Sequence, residues 1–292
     1  MARFQRSYLK NMEFCMHIMS YTHGDDPLLQ ETERDMLVHY IEKYSKLFFV
    51  KILGFCILDN HFHLLVKTIK HERYTDEQVM ERVVNFYGKE KFEQKSSQKS
   101  VAEYRDWLCS ISSYVQMIKK TFSSWYNKYH GKRGSVWGER YNSTLIGDGE
   151  GLLTCMCYID TNPIRKAWVK SPEQYRWSRF GTACLNDFKE DKDLYTYEGT
   201  GMKDIIQYSD HLDEYGKQDR SFQGKKGKIK EENRLTERLL EMILSRGLAV
   251  GSKEFIASSY EKLKGNKGLT KKGRTPHSIG IKGVYSLRHI KE

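Results

Sequence analysis

Three short stretches of the 292-residue chain hold side chains whose types and spacing could do chemistry. In His61-Phe62-His63, residues two apart on a strand share a face, so both imidazoles would point one way with Phe62 opposite. Two imidazoles roughly 6–7 Å apart on a sheet suit one divalent cation. The competing reading is a pair of packed or surface histidines. In Tyr158-Ile159-Asp160-Thr161-Asn162-Pro163, positions i and i+4 of a helix lie on one face, so Tyr158 and Asn162 would project together. A phenol with a free pKa near 10 becomes a usable nucleophile where a metal or a positive field favours its phenolate. Asn162 offers a carbonyl oxygen as a third metal ligand or a positioning group. Most of the 19 tyrosines must be packing residues with a polar end, so position carries the argument rather than residue type. The third stretch, Gly131–Thr144, mixes Lys132, Arg133 and Arg140 with Trp137 and Tyr141, a composition suited to phosphate contact and base stacking on a single strand. A hairpin with a buried Trp137 is the structural alternative.

These residues need elements to hold them. Residues 12–21 have strand length and composition, and 30–46 read as an amphipathic helix with Met36, Leu37, Tyr40, Ile41 and Tyr44 on one face. Phe48–Leu58 and His61–Thr68 read as two strands joined by the tight turn Asp59-Asn60. The charged stretch 69–100 reads as an insertion with a short helix near Glu77–Tyr87. A long helix is expected from Ala102 to about Tyr129, stopped by the glycines of His130-Gly131-Lys132-Arg133-Gly134. Ser135–Ile146 reads as strand, and Glu150 to about Thr161 as a helix ended by Pro163. The order β-α-β-β-α-β-α implies an α+β fold, a ferredoxin-like antiparallel sheet with helices on its faces. Residues 1–185 would form this domain and 186–224 a linker. A small basic α-helical region, helix-turn-helix-like, would fill 225–292 around the stripes Leu235, Leu239, Leu240, Ile243, Leu244 and Phe255, Ile256, Tyr260, Leu263.

Charge is uneven. The chain carries a net charge of +11, yet residues 221–292 alone hold 17 basic and 7 acidic groups. A near-neutral body with a basic end points to a polyanion such as nucleic acid, or to a solubilising tail. The six cysteines form no C-x-x-C and fit neither a zinc ribbon nor a disulfide framework, as expected of a reducing compartment. The charged start and the lack of any membrane-length apolar run lead to the expectation of a soluble cytoplasmic protein.

Taken together, His61-Phe62-His63-Leu64-Leu65-Val66, Gly134-Ser135-Val136-Trp137-Gly138-Glu139-Arg140-Tyr141-Asn142-Ser143 and Tyr158-Ile159-Asp160-Thr161-Asn162-Pro163-Ile164-Arg165 resemble REP-associated tyrosine transposases in order and approximate spacing. These are single-tyrosine HUH endonucleases akin to the transposases of the smallest bacterial insertion sequences. The likeness spans roughly residues 1–185, with Tyr175-Arg176-Trp177-Ser178 closing it, and Gly251-Ser252-Lys253-Glu254-Phe255 and Tyr285-Ser286-Leu287-Arg288 also look like the longer members. Leu58-Asp59-Asn60 departs from the family's Met-Pro-Asn, and Tyr21-Thr22-His23-Gly24 from its Arg-Gly. The resemblance implies Tyr158 as nucleophile and His61, His63 and Asn162 as the metal site, expected to take Mg²⁺ or Mn²⁺; Lys132, Arg133, Trp137, Arg140 and Arg165 are the expected DNA contacts. The expected activity is cutting and rejoining of single-stranded or hairpin DNA through a 5′-phosphotyrosine, by a monomer or homodimer without membrane attachment. Two other readings stand beside it. One is a non-catalytic DNA-binding or regulatory protein. The other is an unrelated metal-dependent hydrolase, which would need carboxylate ligands such as Asp59 or Asp160.

Overall fold

The computed structural model describes residues 13–24, 26–90, 92, 99–186, 207–212, 243–244, 249–263, 277–279 and 281–287. The first half runs β1 (Cys15–Tyr21), α1 (Glu31–Ser45), β2 (Val50–Ile57), β3 (His61–Thr68), α2 (Asp76–Tyr87), α3 (Val101–Leu108), α4 (Ile111–Tyr129). It continues with β4 (Asn142–Ile146), α5 (Glu150–Asp160), α6 (Asn162–Arg165) and α7 (Arg179–Leu185). Near the C-terminus come β5 (Ala249–Gly251), α8 (Lys253–Leu263), β6 (His277–Ser278) and β7 (Tyr285–Ser286). Among the described residues these strands form one sheet in the order β2-β3-β1-β4-β5-β7-β6. The first four are mutually antiparallel, β5 joins β4 in parallel, and β7 and β6 follow antiparallel.

Alternation along the strands sorts side chains between two cores, as a period of two requires. Met16 and Ile18 of β1 and Phe62, Leu64 and Val66 of β3 enter one core with Leu37 and Ile41 of α1 and Ile118 and Phe122 of α4. Cys15 and Leu65 enter the other, with Leu152, Cys155, Met156 and Ile159 of α5. His61 and His63 share the face of Leu65, so the face covered by α5 receives both imidazoles. The turn between β2 and β3 is closed by Leu58 N–H donating to the His61 carbonyl at 2.8 Å.

Several expectations change. The helix expected over 102–129 is two helices, parted at Cys109-Ser110, where the Ser110 hydroxyl accepts from Ser113 N–H at 3.2 Å and starts α4. Such a hydroxyl offers the backbone a local alternative to helix and favours a new start. Where it is described, the 69–100 stretch packs onto the body: Val79 and Val83 of α2 lie in the first core, and Arg82 donates to the carbonyls of Ser45, Leu47 and Phe48. Strand β4 begins at Asn142 rather than Ser135, with Thr22–Trp137 an isolated bridge before it.

In the C-terminal stretch, β5, β7 and β6 join the main sheet, and the expected second stripe falls on the helix α8. The approach is close because glycines face one another: a Cβ on Gly151 would stand 2.9 Å from the Gly251 Cα. Of the expected first helical stripe, Ile243 and Leu244 are helical and buried; Leu235, Leu239 and Leu240 lie outside the described residues. Most of 186–224 also lies outside them, while 207–212 is helical with Tyr208 buried. Among the described residues, no helix is long and apolar enough to cross a membrane.

Candidate active site

The β1–β3 register sets His61 opposite Tyr21 and His63 opposite Met19. His63 is buried and His61 nearly so, both beneath the end of α5. That end is a corner. Thr161, at φ −89° and ψ −2°, closes α5 and opens α6, and its hydroxyl donates to the Cys157 carbonyl at 2.7 Å. The helix α5 ends at Asp160, ahead of Pro163 as expected, and Pro163 belongs to the short helix that follows. It takes the second position of α6, where the missing N–H would have had no partner in any case.

Tyr158 and Asn162 therefore sit on two helices either side of a corner, and they still converge. Asn162 Nδ2 donates to His63 Nε2 at 3.1 Å. The Tyr158 ring meets the His63 ring edge-on with centroids 5.7 Å apart, and His61 and His63 lie 5.0 Å apart. Arg165 braces the corner from α6. Its guanidinium lies 4.2 Å over the Tyr158 ring, donates to the Thr161 hydroxyl at 2.7 Å, and donates to the Tyr158 carbonyl. Of the expected DNA contacts, Arg165 is thus turned into the site.

Two partners stand behind the histidines, and the sequence motifs point to only one of them, Asn60. Asn60 Oδ1 lies 2.7 Å from His61 Nδ1, which donates to it. His17, fully buried on β1, places Nε2 3.0 Å from His63 Nδ1 and Nδ1 3.1 Å from the Leu244 carbonyl. Burial pushes His17 down to about 4. Burial, helped by the Lys166 charge, does the same to His61, also to about 4. His63 is held well below its ordinary value, by burial first and then by the neighbouring His61. All three rings are consequently neutral at neutral pH, the form in which an imidazole nitrogen ligates metal.

The donor set fits a divalent cation in one specific way. The Nδ1 atom of His61 has Asn60 as partner and that of His63 has His17, so the Nε2 atoms remain for a ligand. Asn162, already against His63 Nε2, can turn its amide oxygen inward. Among the described residues, no group of three or more His, Cys, Asp or Glu is arranged to hold a metal. Asp160, a carboxylate the hydrolase reading would need, is engaged with Tyr208.

The 131–144 stretch divides. Trp137 is buried against Phe62 and Phe122, as in the structural alternative, and its Nε1–H donates to the Lys119 carbonyl at 3.0 Å. An indole this apolar fills a core unless a ligand draws it out. Lys132, Arg133 and Arg140 are exposed. Arg140 lines a groove of about 410 Å³ with Lys119, Lys120, Ser112 and Ser123. Lys119 donates to the Ser20 hydroxyl at 2.8 Å, and burial lowers its amine to about 8. Ser20 and Tyr21 are adjacent on β1 and face opposite ways, so groove and histidines share one end of the sheet on its two faces.

No protein-family model and no curated protein matches the chain. Among solved structures, it is similar to a REP-associated tyrosine transposase bound to a REP hairpin, at 19% identity and a TM-score of 0.43. That alignment covers 64% of this chain and 87% of the other.

Proposed function

We propose that this protein is a metal-dependent single-stranded DNA endonuclease and strand transferase that works through Tyr158. One observation carries the reading: Tyr158, Asn162, His61 and His63, drawn from a strand and two helices, meet at the His63 ring. The succession of antiparallel strands β2-β3-β1-β4, with α1 and α4 on one face, supports a ferredoxin-like core beneath them.

A Mg²⁺ or Mn²⁺ ion at His61, His63 and Asn162 would supply charge stabilisation at the scissile phosphate. The chain's own residues do the rest. Tyr158, held by the Arg165 guanidinium over its ring and at its carbonyl, gives up its phenolic proton to water and attacks phosphorus in line. The Oη–P bond forms as the P–O3′ bond breaks, and the departing 3′-oxygen takes up a proton. The products are a 5′-phosphotyrosine and a free 3′-hydroxyl. Because the phosphotyrosine conserves the phosphodiester bond energy, a 3′-hydroxyl on another strand reverses the step without ATP.

The substrate reading is hairpin-bearing single-stranded DNA. Arg140, Lys120 and Lys119 offer phosphate contacts around one groove, and Lys132 and Arg133 stand exposed beside it in sequence. Six free cysteines accord with a reducing, cytoplasmic setting.

The test uses labelled hairpin-bearing single strands, Mn²⁺ and denaturing electrophoresis. A covalent adduct is expected with the unaltered protein and none with Tyr158→Phe. An adduct that persists in Tyr158→Phe removes Tyr158 from its role. Tight hairpin binding without cleavage in the metal-loaded protein would establish the non-catalytic, DNA-binding alternative.

A further inference from the structure

We propose that His17 is a positioning residue that holds His63 in a single tautomer, hydrogen on Nδ1 and lone pair on Nε2 toward Asn162 and Tyr158. The geometric part stands on the hydrogen bonds alone; its consequence for metal binding rests on the function proposed above.

The chain of bonds can be read from either end. The Leu244 carbonyl has no hydrogen to give, so the contact at 3.1 Å requires His17 Nδ1 to be the donor. Thr144, opposite His17 in the β1–β4 register, donates its hydroxyl to the same oxygen at 3.1 Å. A neutral imidazole has one N–H, so His17 Nε2 is an acceptor. His63 Nδ1, 3.0 Å away, must then be the donor. From the other end, Asn162 Nδ2 can only donate, so His63 Nε2, 3.1 Å from it, must accept. The two deductions agree.

The rings are also placed for it. Their planes differ by 15°, and their centroids, 5.2 Å apart, are too distant for a face-to-face stack. The lone pair lies in the plane of an imidazole, so nearly coplanar rings aim it at the neighbouring N–H. A cationic His17 would break the chain, because His63 would have to carry its hydrogen on Nε2, against the Asn162 amide. A partner that accepts the distal N–H of a metal-binding histidine orients the ring and raises its basicity. Here that partner is an imidazole fixed by a backbone carbonyl that lies 227 residues away in sequence.

The experiment takes the full-length protein labelled with ¹⁵N-histidine, free of metal, and reads tautomers from long-range ¹H–¹⁵N spectra. Calorimetry then measures Mn²⁺ affinity in the same samples. The unaltered protein is expected to show His63 with hydrogen on Nδ1. His17→Leu, which has no acceptor, is expected to lose that single tautomer and bind Mn²⁺ about 10- to 100-fold more weakly. His17→Gln, whose amide oxygen can accept, should keep the tautomer and most of the affinity.

A His63 hydrogen on Nε2 in the unaltered protein overturns the proposal. So does a folded His17→Leu with unchanged tautomer and Mn²⁺ affinity. Should His17→Leu not fold, the unaltered spectrum and His17→Gln decide alone: loss of the tautomer in His17→Gln then counts against the proposal. Should the unaltered protein not bind Mn²⁺, the proposed function falls, while the spectrum still decides the role of His17.

Discussion

The Tyr208 hydroxyl donates to the Asp160 carboxylate at 2.7 Å, joining residues 48 apart inside the core beneath α5. The other carboxylate oxygen, Oδ1, is buried without a hydrogen-bond partner. Burial raises this carboxyl from 3.8 to about 7, against the opposing pull of the Tyr208 bond. The sign follows from proton counts. Between about 4 and 7 the unfolded chain has lost the proton that the folded chain still holds, so stability falls as pH rises through that window and levels above it. Asp160→Asn is expected to remove this slope, leaving a higher melting temperature than the unaltered protein at pH 7 and no gain at pH 4. Melting curves across that range are the check, and an identical slope in the variant would refute the assignment.

Arg165 acts inward, on the corner between α5 and α6. Arg165→Ala is expected to cost about 1–3 kcal/mol of stability through its lost charge-assisted hydrogen bonds, and to slow Tyr158 attack at least tenfold. The salt dependence of hairpin binding should stay unchanged. Denaturant unfolding, single-turnover cutting and binding titrations at several salt concentrations separate these effects. A flatter salt slope with unaltered stability would instead make Arg165 a phosphate contact.

The groove beside Trp137 makes the opposite pair of predictions. Arg140→Ala should leave melting unchanged and reduce the slope of log affinity against log salt by about 0.7–0.9, one released phosphate contact. Trp137→Ala should cost about 3–5 kcal/mol, as truncation of a large buried ring does. Trp137→Phe, if folded, should bind DNA with the same salt slope. A selective loss of binding in folded Trp137→Phe would restore the stacking role that the buried ring argues against.

Gly151 tests how the C-terminal strand docks. Its added methyl would stand 2.9 Å from the Gly251 Cα, and backbone cannot yield as a side-chain tip can. Gly151→Ala is therefore expected to cost about 1–3 kcal/mol. It should also raise hydrogen exchange at Gly147, whose N–H donates to the Val250 carbonyl at 2.7 Å, and at β5 generally. Unchanged exchange across Ala249–Gly251 would show that the close approach is relaxed in solution.

Much of the frame was legible because local pattern and tertiary demand agree. The H-x-H alternation, the Asp59-Asn60 turn and the α1 stripe of Leu37, Ile41 and Tyr44 each follow from one period and one face. His17 was not legible. A lone histidine in an apolar strand has no spacing relation to His63, 46 residues on, until strand pairing sets them side by side. Its one signal was polarity in the middle of a buried-type strand. The break at Cys109-Ser110 was hidden because the apolar periodicity continues across it, although Ser110 is a good cap. The three residues of β5 are too few to show any alternation, and their pairing with β4 is non-local.

That pairing joins Leu145 to Ala249 and Ile146 to Val250, and the Leu244 carbonyl arrives with the same late segment. At about 5–20 residues per second, synthesis separates the end of α5 at Asp160 from Leu244 by roughly 4–17 seconds. During that interval β1, β3 and α5 have left the ribosome, but His17 has no carbonyl to hold its hydrogen. A nascent chain can thus carry the tyrosine and both histidines before their protons are sorted. On the proposed role of His17, translation through Leu244 completes the histidine chain.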